Sequence, residues 1–166
     1  RADGDRRHEG INLANLGNVY KSTGRSADAR ASYESSLMIH REVGNRRSEG
    51  IVLGLLAILH QEAGRFDQAE RGFALAIAIH REVGNRDGEG TDLSNLASLL
   101  HETGRLEQAR GAVDEALRIL RETGGVAGQA EDEEILEAQT MLARTEGIWA
   151  GPTGSASLAV LLRLLA

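Results

Sequence analysis

Residues 50–89 read GIVLGLLAILHQEAGRFDQAERGFALAIAIHREVGNRDGE, and this pattern recurs along the chain. The eight residues IHREVGNR occur at 39–46 and again, unchanged, at 79–86, and a weaker version, ILRETGGV, occupies 119–126. Self-similarity at one fixed spacing, here 40 residues, is typical of proteins built from stacked repeats. The chain is therefore better described as a series of units than as one globule.

Each copy contains two helical patterns. In the first, apolar or small residues recur at spacings of three and four, as they do on one face of a helix. This face comprises Leu13, Leu16, Gly17 and Tyr20 in copy one, Leu53, Leu56, Ala57 and His60 in copy two, and Leu93, Leu96, Ala97 and Leu100 in copy three. Glycine, which can adopt the left-handed conformation that ends a helix, follows at 24, 64 and 104. Alternation with period two is absent, so the pattern predicts an all-α fold.

Small residues predict where the two helices of a pair approach each other most closely. They are Gly17, Ala57 and Ala97 on the first helices and Ala29, Ala69 and Ala109 on the second helices. Short side chains let the helix axes come near, and a larger residue beside them can fill the groove. We expect Tyr33, Phe73 and Val113 to do so.

The second copy resembles the tetratricopeptide repeat through Leu53, Leu56, Ala57, His60, Gly64, Ala69, Phe73 and Ala76. Copy one matches that pattern better, with Leu16, Gly17 and Tyr20, and the resemblance covers about residues 8–125. Two departures are a period of 40 instead of 34 and arginine near the place of the usual proline. Longer repeats of this kind are similar to kinesin-light-chain-type and bacterial regulator-associated arrays. HEAT and armadillo repeats have similar lengths, but the glycine-centred turn here is tighter than we expect of them. The resemblance implies a right-handed α-solenoid of antiparallel helix pairs.

The repeat divides the chain into seven predicted segments. Residues 1–9 are the end of a preceding repeat, because Gly4-Asp5-Arg6-Arg7 resembles the later turn Gly44-Asn45-Arg46-Arg47. Repeats occupy 10–49, 50–89 and 90–129. They are followed by a degenerate capping helix at 130–146, a linker at 147–157 and a short apolar helix at 158–166. We expect the chain to be a fragment of a larger, bacterial regulatory or scaffold protein.

Composition excludes several classes of function. The net charge is −6 and no run of Lys or Arg stands out, which argues against a nucleic-acid partner. The chain has no cysteine, so disulfides and thiolate metal sites are excluded, and a cytoplasmic location is expected. The apolar tail LAVLLRLLA has nine residues, far fewer than the roughly 20 that span a bilayer, so no membrane partner is expected.

No constellation of catalytic or metal-binding residues is apparent. His101 begins HETG, which lacks the second histidine of a zinc-binding HExxH motif, and no two histidines are four residues apart. A calcium-loop pattern that begins at Asn85 has Leu96 where a glutamate is required. We therefore predict that the protein is not an enzyme and binds no metal or cofactor. We expect the histidines, His40 and His80 included, to be surface or half-buried side chains.

The tetratricopeptide resemblance implies a binding groove along the concave, inner face of the first helices. Its candidate residues are Asn15, Asn18, Lys21, Ser22, Leu55, Ile58, Gln61, Glu62, Ser94, Asn95, Ser98 and His101. Amides at both ends can donate to and accept from the backbone of an extended peptide, and Leu55 and Ile58 can contact an apolar side chain. The competing interpretation is that the Asn residues only bond to neighbouring helices. Only Lys21 among them is cationic, so recognition of an acidic C-terminus is not expected.

Two functions follow from these features. The first is a non-catalytic protein–protein interaction module that binds a peptide or helix in the concave groove. The alternative is a module for self-assembly, in which the open ends of the repeats or the apolar C-terminal tail make a homo-oligomer.

Overall fold

Six helices make up the part of the chain that the computed structural model describes, residues 2–123, with side chains from residue 5 onward. They are α1 (Ala2–Ser22), α2 (Ser26–Glu42), α3 (Arg46–Glu62), α4 (Phe66–Glu82), α5 (Arg86–Glu102) and α6 (Leu106–Glu122). No strand occurs between residues 2 and 123. The all-α prediction is confirmed.

Three-residue turns connect the helices, and each contains one glycine with a positive φ. These glycines are Gly24, Gly44, Gly64, Gly84 and Gly104, with φ between 65° and 76°. A side chain is strained in that conformation, so glycine is the residue that fits. The turn also closes by hydrogen bonding: the amide of Asn45 donates to the carbonyl of His40 at 2.8 Å, and Asn85 does the same to His80. The predicted helix ends are therefore correct.

Within each pair the helices are antiparallel. This is shown by ion pairs between arginines near the start of the first helix and glutamates at the end of the second. Arg46 pairs with Glu82 at 2.7 Å, and the Arg6–Glu42 and Arg86–Glu122 pairs repeat this contact at intervals of 40 residues. Consecutive pairs then stack, with α3 against α2 and α5 against α4. The result is an α-solenoid of helix pairs, as predicted.

Contacts between helices of different pairs place α1, α3 and α5 in one layer. Lys21 of α1 lies 2.9 Å from Glu62 of α3, and Gln61 of α3 donates to Glu102 of α5 at 3.0 Å. In the other layer, Arg81 and Glu70 of α4 pair with Glu115 and Arg105 at α6. We call the surface formed by the first helices the inner-helix surface.

The core forms where small residues let paired helices approach. Tyr33 and Phe73 are completely buried, and a Cβ added to Gly17 would lie 2.4 Å from the Tyr33 ring. Ala29, Ala57 and Ala69 are likewise completely buried. The close approach of the helices that the small residues predict is therefore present. Any larger side chain at Gly17 would displace the Tyr33 ring.

Three details differ from the sequence-based expectation. Residues 2–9 belong to α1 and are not a turn. Val113 was expected to fill a groove but is 43% exposed, and Leu16 is 41% exposed. Both lie in the terminal helix pairs, α1/α2 and α5/α6.

The predicted repeat boundaries at residues 50 and 90 fall four residues inside α3 and α5. A tandem repeat can be divided at any point of its period, so this division stays a prediction. The end of the third repeat, the capping helix at 130–146, the linker at 147–157 and the apolar helix at 158–166 lie outside the described residues.

Candidate functional site

The predicted groove residues lie on α1, α3 and α5, which together form the inner-helix surface. At the carboxyl ends of these helices, Lys21 pairs with Glu62 and Gln61 bonds to Glu102, so four polar side chains tie three helices together. These contacts bring three predicted residues, Lys21, Gln61 and Glu62, onto one surface together with Glu102 of the third repeat. The same contacts also occupy part of the hydrogen-bonding capacity that a ligand would use.

On α1 the predicted residues divide into exposed and partly occupied groups. Asn15 is exposed, whereas Asn18 accepts a hydrogen bond from the Tyr33 hydroxyl at 2.7 Å. Ser22 donates to the carbonyl of Val19, one turn earlier in its own helix. The oxygen of Asn18 therefore bonds to a neighbouring helix, as the competing interpretation describes, while its amide nitrogen is a donor.

Between α3 and α5 the structure brings Leu55, Ile58 and Asn95 together around one cavity of about 220 Å³. The remaining lining is Ile51, Gly54, His80, Gly88, Thr91 and Asp92. Ile51 is 45% exposed, and Leu55 and Ile58 are half-buried, so this wall of the cavity is apolar and open. We call it the α3–α5 cavity.

Elsewhere on α5 the predicted residues do not join this cavity. Ser94 is exposed and donates to the carbonyl of Gly90 at 2.9 Å, while Ser98 and His101 are exposed farther along the helix. The α3–α5 cavity thus contains three of the twelve predicted residues.

A chain of polar side chains forms the floor of the cavity. The Asn85 amide donates to Nδ1 of His80 at 2.9 Å, so the ring hydrogen is on Nε2, which lies 3.3 Å from Oδ2 of Asp92. The Asn95 side chain in turn hydrogen-bonds to Asp92. Gly54 makes room for this carboxylate, because a Cβ there would lie 2.5 Å from Oδ1.

Burial dominates the protonation of this cluster. Asp92 is 5% exposed, and the loss of solvent raises its pKa to about 7, although the bond from Asn95 favours the ionised form. Burial likewise lowers the pKa of His80, with a further lowering from Arg47 and an opposing effect from Glu89. At neutral pH the His80 ring is therefore uncharged and does not neutralise the carboxylate.

The expectation that His40 and His80 are surface or half-buried is wrong. Both are 1% exposed, because each ring packs on a glycine of the other helix in its own pair, Gly10 or Gly50. The burial of Asp92 was also not predicted from the sequence. Its position in the repeat could have indicated it, because Asn12, Val52 and Asp92 are equivalent positions and copy two has a buried valine there.

Neither a metal site nor a membrane-spanning helix is found among the residues that the structure describes. No group of three or more His, Asp or Glu side chains in that range is arranged to hold a metal ion. Among the described helices, none combines the length and apolar character needed to cross a membrane.

The sequence matches the family model described as tetratricopeptide repeat over residues 9–73 and 48–122. Together these matches cover more than half of the chain. A search of curated proteins finds no match.

Among solved structures, the fold is similar to the crystal structure of BtubC (BKLC) from P. vanneervenii, with a TM-score of 0.64. The two sequences are 19% identical over 92% of this chain, so the likeness concerns the fold. The chain spans 62% of the length of that protein.

Proposed function

Because the chain belongs to the tetratricopeptide repeat family, we propose that it binds a peptide or helix of another protein on its inner-helix surface. Such repeats are generally protein-interaction modules, and the family is typically non-catalytic. The proposal includes a bacterial regulatory or scaffold role in the cytoplasm. It includes neither nucleic acid nor a membrane as a partner. The absence of cysteine and the net charge of −6 support it.

The observation that carries the proposal is the α3–α5 cavity. Leu55 and Ile58 offer an apolar wall, and Asn95 lies beside them. A peptide backbone needs donors and acceptors along its length, and its side chains need apolar pockets at intervals. Asn15, exposed on α1, extends the polar part of the surface by one repeat.

The experiment is a triple substitution, Asn15→Ala, Leu55→Ala and Asn95→Ala, in the full chain. Peptides selected by display on the wild-type protein should lose most of their affinity for this variant, as measured by fluorescence anisotropy. The matched control is Glu34→Ala, Met38→Ala and Leu75→Ala, which changes exposed residues of α2 and α4. Undiminished binding by a folded triple variant would remove the inner-helix surface from consideration.

Self-assembly is the second candidate, and one observation favours it. Helix α1 exposes three apolar residues: Leu16 and Val19, which lie one turn apart, and Ile11. Exposed apolar surface is typical of contacts between proteins. Light scattering of the full chain at high concentration tests this candidate, with Leu16→Glu and Val19→Glu expected to dissociate any oligomer. A monomeric mass for the wild-type chain at high concentration would refute it.

A further inference from the structure

We propose that the α3–α5 cavity is a subsite for a lysine side chain of the bound peptide, with the ammonium group beside Asp92. This inference rests on the proposed function and specifies the partner: a segment that carries a positively charged residue. It is drawn from the size of the cavity, the chemistry of its lining and the charge around it.

The size of the cavity limits its occupant to a single side chain. Sites for small-molecule ligands usually measure about 300–1,000 Å³, and this cavity measures about 220 Å³. Its wall of Ile51, Leu55 and Ile58 can contact methylene groups, and its polar atoms lie at the floor. An occupant that fits this division is long and apolar, with a polar group at its tip.

Three of the side chains that line the cavity carry acceptors. One N–H of the Asn95 amide is used in the bond to Asp92, and the side-chain oxygen of Asn95 is an acceptor. The Thr91 hydroxyl donates to the carbonyl of Asp87 at 2.9 Å, which leaves its lone pairs free. With the carboxylate of Asp92, three acceptors line one cavity, and a lysine ammonium carries three donors.

Charge points to the same occupant. A buried carboxylate is costly without a positive partner, and His80, which bonds to Asp92, is uncharged at neutral pH. On the inner-helix surface beyond the cavity, Glu62 and Glu102 are two more acids and Lys21 pairs with Glu62, while Arg47 lies near enough to His80 to lower its pKa. A lysine from a partner supplies the missing charge, whereas an aliphatic or acidic side chain leaves the carboxylate without a counter-charge.

The first test uses n-butylammonium, which reproduces the lysine side chain, and butan-1-ol as its neutral counterpart. Titrated into the ¹⁵N-labelled full chain at pH 7.5, the ammonium compound should shift the amide resonances of Thr91 and Asn95. Asp92→Asn should weaken this binding about tenfold or more, the usual effect of losing one charged partner of a hydrogen bond. Asp92→Val, which copies Val52 of the preceding repeat, should do the same if Asn at this position disturbs the fold.

The matched control is Asp87→Asn, which removes the same charge from an exposed position on the same helix. It should leave n-butylammonium binding unchanged. Equal binding by the Asp87 and Asp92 variants, or equal binding of butan-1-ol and n-butylammonium to the wild type, would overturn the proposal.

The second test separates this subsite from the proposed function. In a peptide selected by display, lysine replaced by norleucine should weaken binding to the wild type but not to Asp92→Asn. If such peptides bind the inner-helix surface and the replacement costs nothing in either protein, the subsite is refuted and the proposed function stands. If n-butylammonium binds through Asp92 but no peptide competes with it, the subsite stands and the proposed function is refuted.

Discussion

The two junctions between successive repeats contain the same eight residues, yet their interiors differ. At the first, between α2 and α3, the His40 ring packs on Gly10, and its Nδ1 is buried without a hydrogen-bond partner. At the second, between α4 and α5, the His80 ring packs on Gly50, accepts a hydrogen bond from Asn85 and lies 3.3 Å from Asp92. An identical segment therefore acquires different chemistry from the residues around it.

Different residues at three equivalent positions of the repeat account for this difference between the junctions. Ser48 of the first junction accepts a hydrogen bond from the Asn45 amide at 2.9 Å, whereas Gly88 leaves the Asn85 amide to bond with His80. Val52 becomes Asp92, and Ala14 becomes Gly54, which makes room for the carboxylate. The second junction has exchanged apolar packing for a hydrogen-bonded carboxylate that faces a cavity.

The largest effect is expected from Val52→Asp, which puts an acid into the first junction. Val52 is fully buried, Ala14 occupies the space that Gly54 leaves in the second junction, and no compensating cation is present in the apolar cluster around Val52. An uncompensated buried charge costs about 3–5 kcal/mol of unfolding free energy, which urea denaturation measures. Ile51→Asp makes an acid at the neighbouring, exposed position and should cost less than about 1 kcal/mol. Equal costs for the two variants would show that the buried position of the first junction tolerates an acid as well as an exposed position does.

The converse substitution, Asp92→Val, is expected to stabilise the protein at pH 8 by about 1–4 kcal/mol, because an apolar residue replaces a buried charge. The pKa of Asp92 is about 7 in the folded protein and 3.8 when unperturbed. Between those values the folded state holds a proton that the unfolded state has lost, so wild-type stability falls as the pH rises through this range. Urea denaturation at pH 8 and pH 5 should therefore show a larger gain from Asp92→Val at pH 8. A gain that is independent of pH would contradict the raised pKa.

Gly54→Ala should destabilise the protein by about 1–3 kcal/mol, since its Cβ would lie 2.5 Å from Asp92 Oδ1. Combined with Asp92→Val it recreates the Ala-and-Val packing of the first junction, and most of the loss should disappear. A double-mutant cycle by thermal melting measures this coupling. Additive effects would mean that Gly54 and Asp92 act independently.

The smallest effect is expected from Ser48→Gly, which gives the first junction the glycine of the second. Freed from Ser48, the Asn45 amide should turn to Nδ1 of His40, and the net change in stability should stay within about 1 kcal/mol because helical glycine opposes the gained bond. The readout is the ¹⁵N chemical shift of His40 Nδ1. An unchanged shift would show that Ser48 does not decide where the Asn45 amide bonds.

Sequence reasoning recovered most of the fold, for reasons that the residues make plain. Glycines in the left-handed turns and small residues at the helix contacts can be recognised from the local sequence. Each of these patterns recurs three times, so a coincidental match to a helix pair is improbable. The surface that we propose as the binding surface could also be predicted, because Asn15, Leu55 and Asn95 occupy equivalent positions in three copies. The α3–α5 cavity could not, because it depends on contacts among residues of three helices, such as Gly54 with Asp92 and His80 with Asp92. Burial of His80 likewise depends on Gly50, thirty residues earlier, and no local pattern reports that.

The arginine–glutamate contacts that close each helix pair have a consequence for how such a protein can change in length. Arg6–Glu42, Arg46–Glu82 and Arg86–Glu122 each lie within one pair, and Arg41–Glu49 and Arg81–Glu89 link one pair to the next in the same way. Excision of residues 46–85 would join Asn45 to Arg86, re-create the Asn–Arg boundary and leave Arg41 opposite Glu89. The main new neighbours would be Ala14 against Asp92 and, in place of the Glu70–Arg105 pair, Arg30 against Arg105. Whole forty-residue cassettes can therefore be gained or lost while nearly every ionic link finds an equivalent partner.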